Sequence, residues 1–467
     1  MASALDVHNR APRSFSNQAR CTISIDSLAL AEPMHFVLAS VGSLGDVHPF
    51  VAIGAALRQR GHRVTLICND AFASLVERSG IEFASAGAAV DLSAAAVNPN
   101  LWHPIKGLGV FWRAMLAPAI EPTFRQIEKI AAVERCVVVA VPTMFGARFA
   151  RELLGVRLIS AVTAPAILRS DAAPLTMAHW RLPHGTPQSV VRMAWRALDR
   201  YKLHPMATKT LQGQAERLGA RAPPADISVF GDWMFSPDGA LTLFPEWFAR
   251  RRSGWPAILQ FGGFPLFDDA DESHSAARLP NHVERFLQAG EPPLVFMPGS
   301  AMRHASAFFA AATQACSTLR VRAILLSQDA SQLPASLPAS CPDRLPTELP
   351  TRLPADILHA PYLPFGTLLP RCLALVHHGG IGSCAQALRA GIPQLLMPMS
   401  HDQFDNAQCV LELGAGAALR PKQFDGPRLA LAIQRLRNLP KPALRECSER
   451  LQTSALPQLC DSIEAMA

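Results

Sequence analysis

The chain has 467 residues, 49% of them hydrophobic and 17% charged, and carries a formal net charge of +7. That length exceeds one ordinary core and predicts two domains of roughly 200 residues each, while no apolar run reaches the roughly 18–20 residues that span a bilayer. Ten cysteines without a CxxC pair exclude a disulfide framework and read as reduced core thiols of a cytoplasmic protein; the basic residues are not interleaved with aromatics, which argues against nucleic acid.

Residues 1–33 hold Arg10, Arg13 and Arg20 among serines, with one short apolar piece at Ser27–Ala31. That piece is too short for a signal-peptide core, so the segment reads as a disordered tail. From His35 the chain alternates strand and helix. The apolar run His35–Val41 is followed by the glycine-containing turn "GSLGDVHP", then a helix expected to begin near Val47–Pro49 and to stop at Gly61. "HRVTLICN", the helix "AFASLVERSG", "IEFASA", "RCVVVAV" and "VRLISAVT" continue the pattern. Strands that are apolar throughout, without polar alternation, imply a parallel sheet covered on both faces.

The stretch Phe261–Asn281 is rich in glycine, proline and acids and reads as a linker, after which the alternation restarts with "PLVFMPGS", "RAILLSQ", "DILHAPYLP", "CLALVHHGG" and "PQLLMPMS". The expected organisation is an N-terminal Rossmann-like domain over 34–265, a linker over 266–290, and a second Rossmann-like domain with C-terminal helices over 291–467. The fold class is therefore α/β, two doubly wound domains facing across a cleft, with ligands at the carboxyl ends of the strands. Prolines at 334, 338, 342, 346, 350 and 354 mark an extended loop despite their helical spacing, because each lacks the donor a helix needs.

The richest chemistry lies between Tyr362 and Ala407. A strand ending in His377–His378 leads into Gly379, Gly380 and Gly382 and a helix opening near Ser383. Glycines let a ligand approach the backbone, and the free amides at a helix start favour anionic oxygens. The next strand ends at Met397–Pro398 and leads to His401, Asp402 and Gln403, polar groups suited to sugar hydroxyls.

These residues resemble the donor-binding signature of family 1 glycosyltransferases of GT-B fold, which move a sugar from a nucleotide diphosphate to an acceptor. The resemblance runs from about Met34 to the end, anchored by "GSLGDVHP" and "HHGGIGS…GIPQLLMP…DQFDNA". It implies that His378 and the amides around Gly379, Gly380, Gly382 and Ser383 hold the diphosphate, with Gly299 and Ser300 approaching from the preceding strand end. Asp402 and Gln403 would bind the sugar, Tyr362 would stack on the base and the Phe365 backbone would read its edge. "FGDWMFSPDGALTLFPEWFARRRSGWP" and "GGFPLFDD" narrow the resemblance to the B chains of bacterial rhamnolipid rhamnosyltransferases. The implied reaction passes L-rhamnose from dTDP-L-rhamnose to a 3-(3-hydroxyalkanoyloxy)alkanoic acid, a hydroxyacyl lipid. Gly45, Trp102, Phe111, Trp112 and Met115 would line the acceptor side, although helix-core packing accounts equally for the last four. A partner subunit or the inner-membrane surface would deliver the acceptor; any membrane contact would be peripheral.

An inverting transfer needs a base near the acceptor hydroxyl. Asp46, at a strand end of the first domain, is the candidate; the rival reading is a helix cap, and one carboxylate can do both. His48 is the second candidate. No metal and no cofactor are expected: "DDAD" at Asp268–Asp271 lies in the linker, and adjacent His377 and His378 point to opposite faces of a strand. Arg250–Arg252 reads as a solvated turn or a contact for anionic headgroups. The alternatives are a same-fold enzyme using another nucleotide sugar, such as UDP-glucose, on a sterol or polyketide, and a non-catalytic nucleotide-sugar-binding subunit.

Overall fold

A computed structural model describes residues 32–87, 90–171, 176–177, 180–183, 185–267, 279–334 and 356–467. The terminal tail to residue 31, "DDAD" and all but the first two residues of the proline-spaced loop lie outside them.

The first sheet is parallel throughout. Its strands are β1 (His35–Ala39), β2 (Arg63–Cys68), β3 (Glu82–Ser85), β4 (Cys136–Ala140), β5 (Arg157–Val162), β6 (Ala240–Thr242) and β7 (Leu259–Phe261), in the order β3-β2-β1-β4-β5-β6-β7. All five residues of β1 and all five of β4 are buried, which is why these segments read as unbroken apolar runs. The second sheet contains β8 (Leu294–Met297), β9 (Ala323–Leu326), β10 (Ile357–Ala360), β11 (Ala374–His377), β12 (Gln394–Leu396) and β13 (Gly416–Ala418), ordered β10-β9-β8-β11-β12-β13. Chain order reverses between β1 and β4 in one sheet and between β8 and β11 in the other. A doubly wound sheet opens a crevice at that switch point. The turns after β1, β8 and β11 are the ones that carry "GSLGD", "PGS" and "HHGG".

Helix α1 (Leu44–Gln59) begins three residues earlier than Val47, capped by Ser43, with Pro49 inside it. The expected start relied on proline's preference for a first helical position. Here Pro49 instead lies within the first two turns and withdraws only the donor that would meet the Gly45 carbonyl. Two helical runs contain a single π turn, Trp112–Leu116 ahead of Pro118 and Asp199–Leu203 ahead of Pro205. Each widened turn lies just before a proline whose ring would clash with a regular α turn.

The last helix, α2 (Leu456–Met466), does not stay with the second sheet. It packs on α1, its Leu459, Cys460, Ile463 and Met466 joining the first domain's core. Arg60 pairs with Asp461 at 2.7 Å and Glu464 at 2.8 Å, and His62 meets Glu464 at 3.0 Å. The chain thus crosses between the sheets twice, and 34–265 and 291–467 are not self-contained blocks. Arg251 of the basic triplet is a structural residue: its guanidinium stacks 5.3 Å from the Phe261 ring and donates to the Pro256 and Leu259 carbonyls.

Candidate functional site

The carboxyl ends of both sheets enclose a cavity of about 590 Å³. From the first domain it takes Gly45, Asp46, His48, Trp102 and Phe111, and from the second Gly299, Ser300, Tyr362, Phe365, His378, Gly380, Gly382, Ser383, Asp402 and Gln403. Residues 340 positions apart, Ser43 and Ser383, thus line one crevice.

Asp46 is the third residue of α1. Its carboxylate accepts from the Ser43 backbone N–H at 2.7 Å and the Ser43 hydroxyl at 3.1 Å. The two readings of Asp46 therefore merge geometrically: it completes the helix cap and faces the cleft. Burial pushes its carboxyl above the ordinary value, partly offset by the two Ser43 bonds. The turn is built around it, since Gly42 has φ +146° and a Cβ there would sit 2.2 Å from Asp46 Oδ2. His48 lies deeper in α1, its ring 5.0 Å from that of Phe267.

On the opposite wall, β11 delivers two histidines with different fates. His377 is fully buried; its Nδ1 accepts from the Gly379 N–H at 3.2 Å and its Nε2 meets Gln394 Oε1 at 3.1 Å. Burial lowers its proton affinity to about 3, so the ring is neutral. His378 faces the cavity, is lowered by burial to about 4, and its Nδ1 has no hydrogen-bond partner among the described residues. A Cβ at Gly380 would lie 2.6 Å from this ring and one at Gly299 3.3 Å. These two glycines leave room for His378, a reason beyond ligand approach. Helix α3 (Ile381–Ala390) starts beside it with Gly380 as cap, its first amides unpaired within the helix.

Gly379 departs from the expectation. Its N–H is given to His377, its carbonyl accepts from Asn406 Nδ2 at 3.0 Å, and it does not line the cavity. With φ +95° it turns the chain; its amide is not available to a diphosphate. Trp112 and Met115 also lie elsewhere. Both are buried in the first core, Trp112 against Phe145 and Phe230 at ring distances of 5.8 and 5.9 Å. Phe111, which ends the preceding α-helical turn, and Leu116 line the cavity instead.

Asp402 precedes helix α4 (Gln403–Glu412) and accepts from Asn406 Nδ2 at 2.7 Å. Burial pushes its carboxyl up to about 7; the Asn406 bond offsets part of this, and the charge of Asp46 across the cleft adds to the rise. The two carboxylates thus sense each other between domains. Gln403 uses its Oε1 to hold the Met399 and Ser400 amides at 2.8 and 3.2 Å, so its NH₂ is the end left for a ligand. His401, grouped with these residues from sequence, has φ +56° and spends its Nε2 on the Leu101 carbonyl at 3.2 Å, packed edge-on to Trp102 and Phe111. His304 likewise meets the Val97 carbonyl at 3.0 Å. Two histidines of the second domain thereby hold one segment of the first.

Arg303 was not legible. Among the described residues it is the only lysine or arginine lining the cavity, four positions past Gly299 in a loop with no motif. Asp329, Gln328 and Gln332 after β9 line it too. The first-domain wall is largely apolar, with Val41, Leu44, Leu101, Leu108, Ile167 and Phe230.

Comparison with known proteins finds a separate family model for part of each half of the chain. Residues 36–170 match the glycosyltransferase family 28 N-terminal domain, and 340–462 match the C-terminal domain of erythromycin biosynthesis protein CIII-like proteins. An O-mycaminosyltylonolide 6-deoxyallosyltransferase of Streptomyces fradiae is 26% identical, over 88% of this chain and 92% of that one. The glycosyltransferase structure of kitacinnamycin aligns with TM-score 0.65 at 19% identity, covering 93% of this chain and 99% of that one. A spinosyn rhamnosyltransferase, SpnG, complexed with thymidine diphosphate, aligns with TM-score 0.54 at 16% identity, covering 92% and 96%. The fold is GT-B.

Proposed function

We propose that this chain, a glycosyltransferase of GT-B type, transfers L-rhamnose from dTDP-L-rhamnose to the hydroxyl of a 3-(3-hydroxyalkanoyloxy)alkanoic acid, giving a monorhamnolipid. The observation that carries this reading is a half-buried carboxylate, Asp46, set in an apolar wall opposite a polar donor wall within a single cavity. An apolar first-domain wall suits acyl chains better than a polar aglycone. The thymidine diphosphate in the rhamnosyltransferase SpnG supports the donor.

In this reading the first amides of α3, His378 and Arg303 receive the diphosphate. A neutral His378 donates one N–H without the cost of burying a second charge, and Arg303 supplies the positive charge that the leaving group needs. Asp402 and the Gln403 NH₂ hold the sugar hydroxyls. Asp46 takes the acceptor proton as the anomeric carbon–oxygen bond to the diphosphate breaks and the new glycosidic bond forms. Its raised proton affinity makes it a better base than an exposed carboxylate, and its ionised form is held by Ser43.

The 6-deoxyallosyltransferase relative favours a second reading, the same chemistry on a polyketide or other lipophilic alcohol with another donor. A screen of purified protein with dTDP-rhamnose and UDP-glucose against the hydroxyacyl dimer, a sterol and a macrolide separates the two. Rhamnosyl transfer to the hydroxyacyl dimer is the expected product; turnover only with other pairs overturns the first reading. Asp46→Asn keeps one acceptor oxygen for the two Ser43 donors, so it is expected to fold and to lose about 10²–10⁴-fold in kcat with every donor. Full activity in that variant removes Asp46 as base.

A further inference from the structure

The helix Gln188–Leu198, continued by the π turn Asp199–Leu203, lies outside the cleft yet is fastened to its acceptor end. Trp195 donates its indole N–H to the Ser170 carbonyl at 3.1 Å, and Arg169 stacks 4.6 Å from the Trp195 ring while pairing with Asp199 at 2.8 Å. Ala166 and Ile167, just before these anchors, line the cavity.

Its outward face has an unusual makeup for a surface helix. Val190, Met193 and Tyr201 are 38%, 64% and 79% exposed, and with exposed Ala197 their spacing of three or four residues puts them on one stripe. Arg192, Arg196 and Arg200, four apart and exposed, form the adjoining stripe. Lys202 and Lys209 are also exposed, and Arg192 is paired with Asp171 at 2.8 Å. Between residues 188 and 210 the one carboxylate is Asp199, and it is turned inward. A solvated helix of this length would mix both signs of charge; apolar and purely basic stripes side by side suit an interface between water and an anionic surface.

We propose that this face docks on an anionic bilayer, Met193 and Tyr201 entering the headgroup layer while Arg196 and Arg200 meet lipid phosphates. Charge complementarity selects this occupant over a second copy of the chain, whose identical basic stripe would repel its own. The proposal does not rest on the rhamnosyl reading: it concerns a surface outside the cleft and holds for any acceptor. If the acceptor is a lipid, it would hold the cleft near the source of that lipid.

The test is sedimentation of the full chain with vesicles of phosphatidylcholine alone or with 30% (about one lipid in three) phosphatidylglycerol at ~0.1 M salt. Binding is expected only to the anionic vesicles and should fall steeply at ~0.5 M salt. Each surface cation contributes roughly fivefold to such binding, so Arg196→Glu/Arg200→Glu should lower the partition coefficient at least ~tenfold. Met193→Asp/Tyr201→Asp should do the same with unchanged far-UV circular dichroism. Absence of wild-type binding overturns the proposal, as does equal binding by the variants. Self-association of the free chain that these same substitutions abolish also overturns it, in favour of a dimer face.

Discussion

Replacing Asp402 by asparagine should stabilise the ligand-free protein, although it removes a group placed to bind the sugar. The carboxyl is buried, and burial together with the charge of Asp46 raises it from 3.8 to about 7. That gap corresponds to about 4 kcal/mol of preference for the neutral form. The folded state holds this proton more tightly than the unfolded chain, so between pH 3.8 and about 7 the folded state binds more protons. Stability from this group is full below that window and is lost as pH rises through it. Asparagine does not ionise and keeps an oxygen for the Asn406 amide, so the variant escapes the loss. If the 434 residues from Met34 to Ala467 melt as one unit, the melting entropy is roughly 0.9 kcal/mol per degree. The variant should then melt up to about 4 °C higher at pH 8 and with no difference near pH 4. Differential scanning calorimetry across pH 4–8 measures this directly. A variant that melts lower than wild type at pH 8, or by the same margin at every pH, refutes a buried, proton-hungry Asp402.

Gly42→Ala places a methyl 2.2 Å from Asp46 Oδ2 at a φ of +146°; kcat should fall at least about tenfold with the donor KM unchanged, which steady-state kinetics resolves. Arg303→Ala removes the cavity's cationic side chain and should weaken dTDP binding by roughly 10–100-fold in calorimetric titration, the range of a charge-assisted bond; unaltered affinity would show that the helix amides and His378 suffice. Trp112→Ala should cost about 3–5 kcal/mol of stability in denaturant unfolding because the indole fills the core between Phe145 and Phe230. A change confined to the acceptor KM would return Trp112 to the cleft.

Much of the second-domain wall was readable because its signals are local. A strand that ends, a glycine that opens a helix and a polar pair after the next strand are encoded within a few residues. The doubly wound architecture places every strand end on the same side. Hence Gly299, His378, Gly380, Ser383, Asp402 and Gln403 line one cavity. The places where local reading failed are those in which a neighbour from far along the chain takes the group. Gly379 looks like its neighbours in "HHGGIGS", yet its amide is given to His377. His401 lines the cavity beside Asp402, but its Nε2 is taken by the Leu101 carbonyl of the other domain. Trp112 and Phe111 are adjacent, yet one packs into the core and the other lines the cleft, because successive helical side chains point about 100° apart.

By itself, the sequence determined the parallel sheets, through strands apolar on both faces, and the glycine-rich turn after β11, through residues that touch one another along the chain. Only the tertiary structure decided what sits across the cleft. It brought Asp46 within electrostatic reach of Asp402 and turned Arg303 into the cavity. It also sent α2 back to pack on α1. Those outcomes depend on how two sheets meet, and desolvation and charge coupling act between groups separated by hundreds of residues, which no local pattern records.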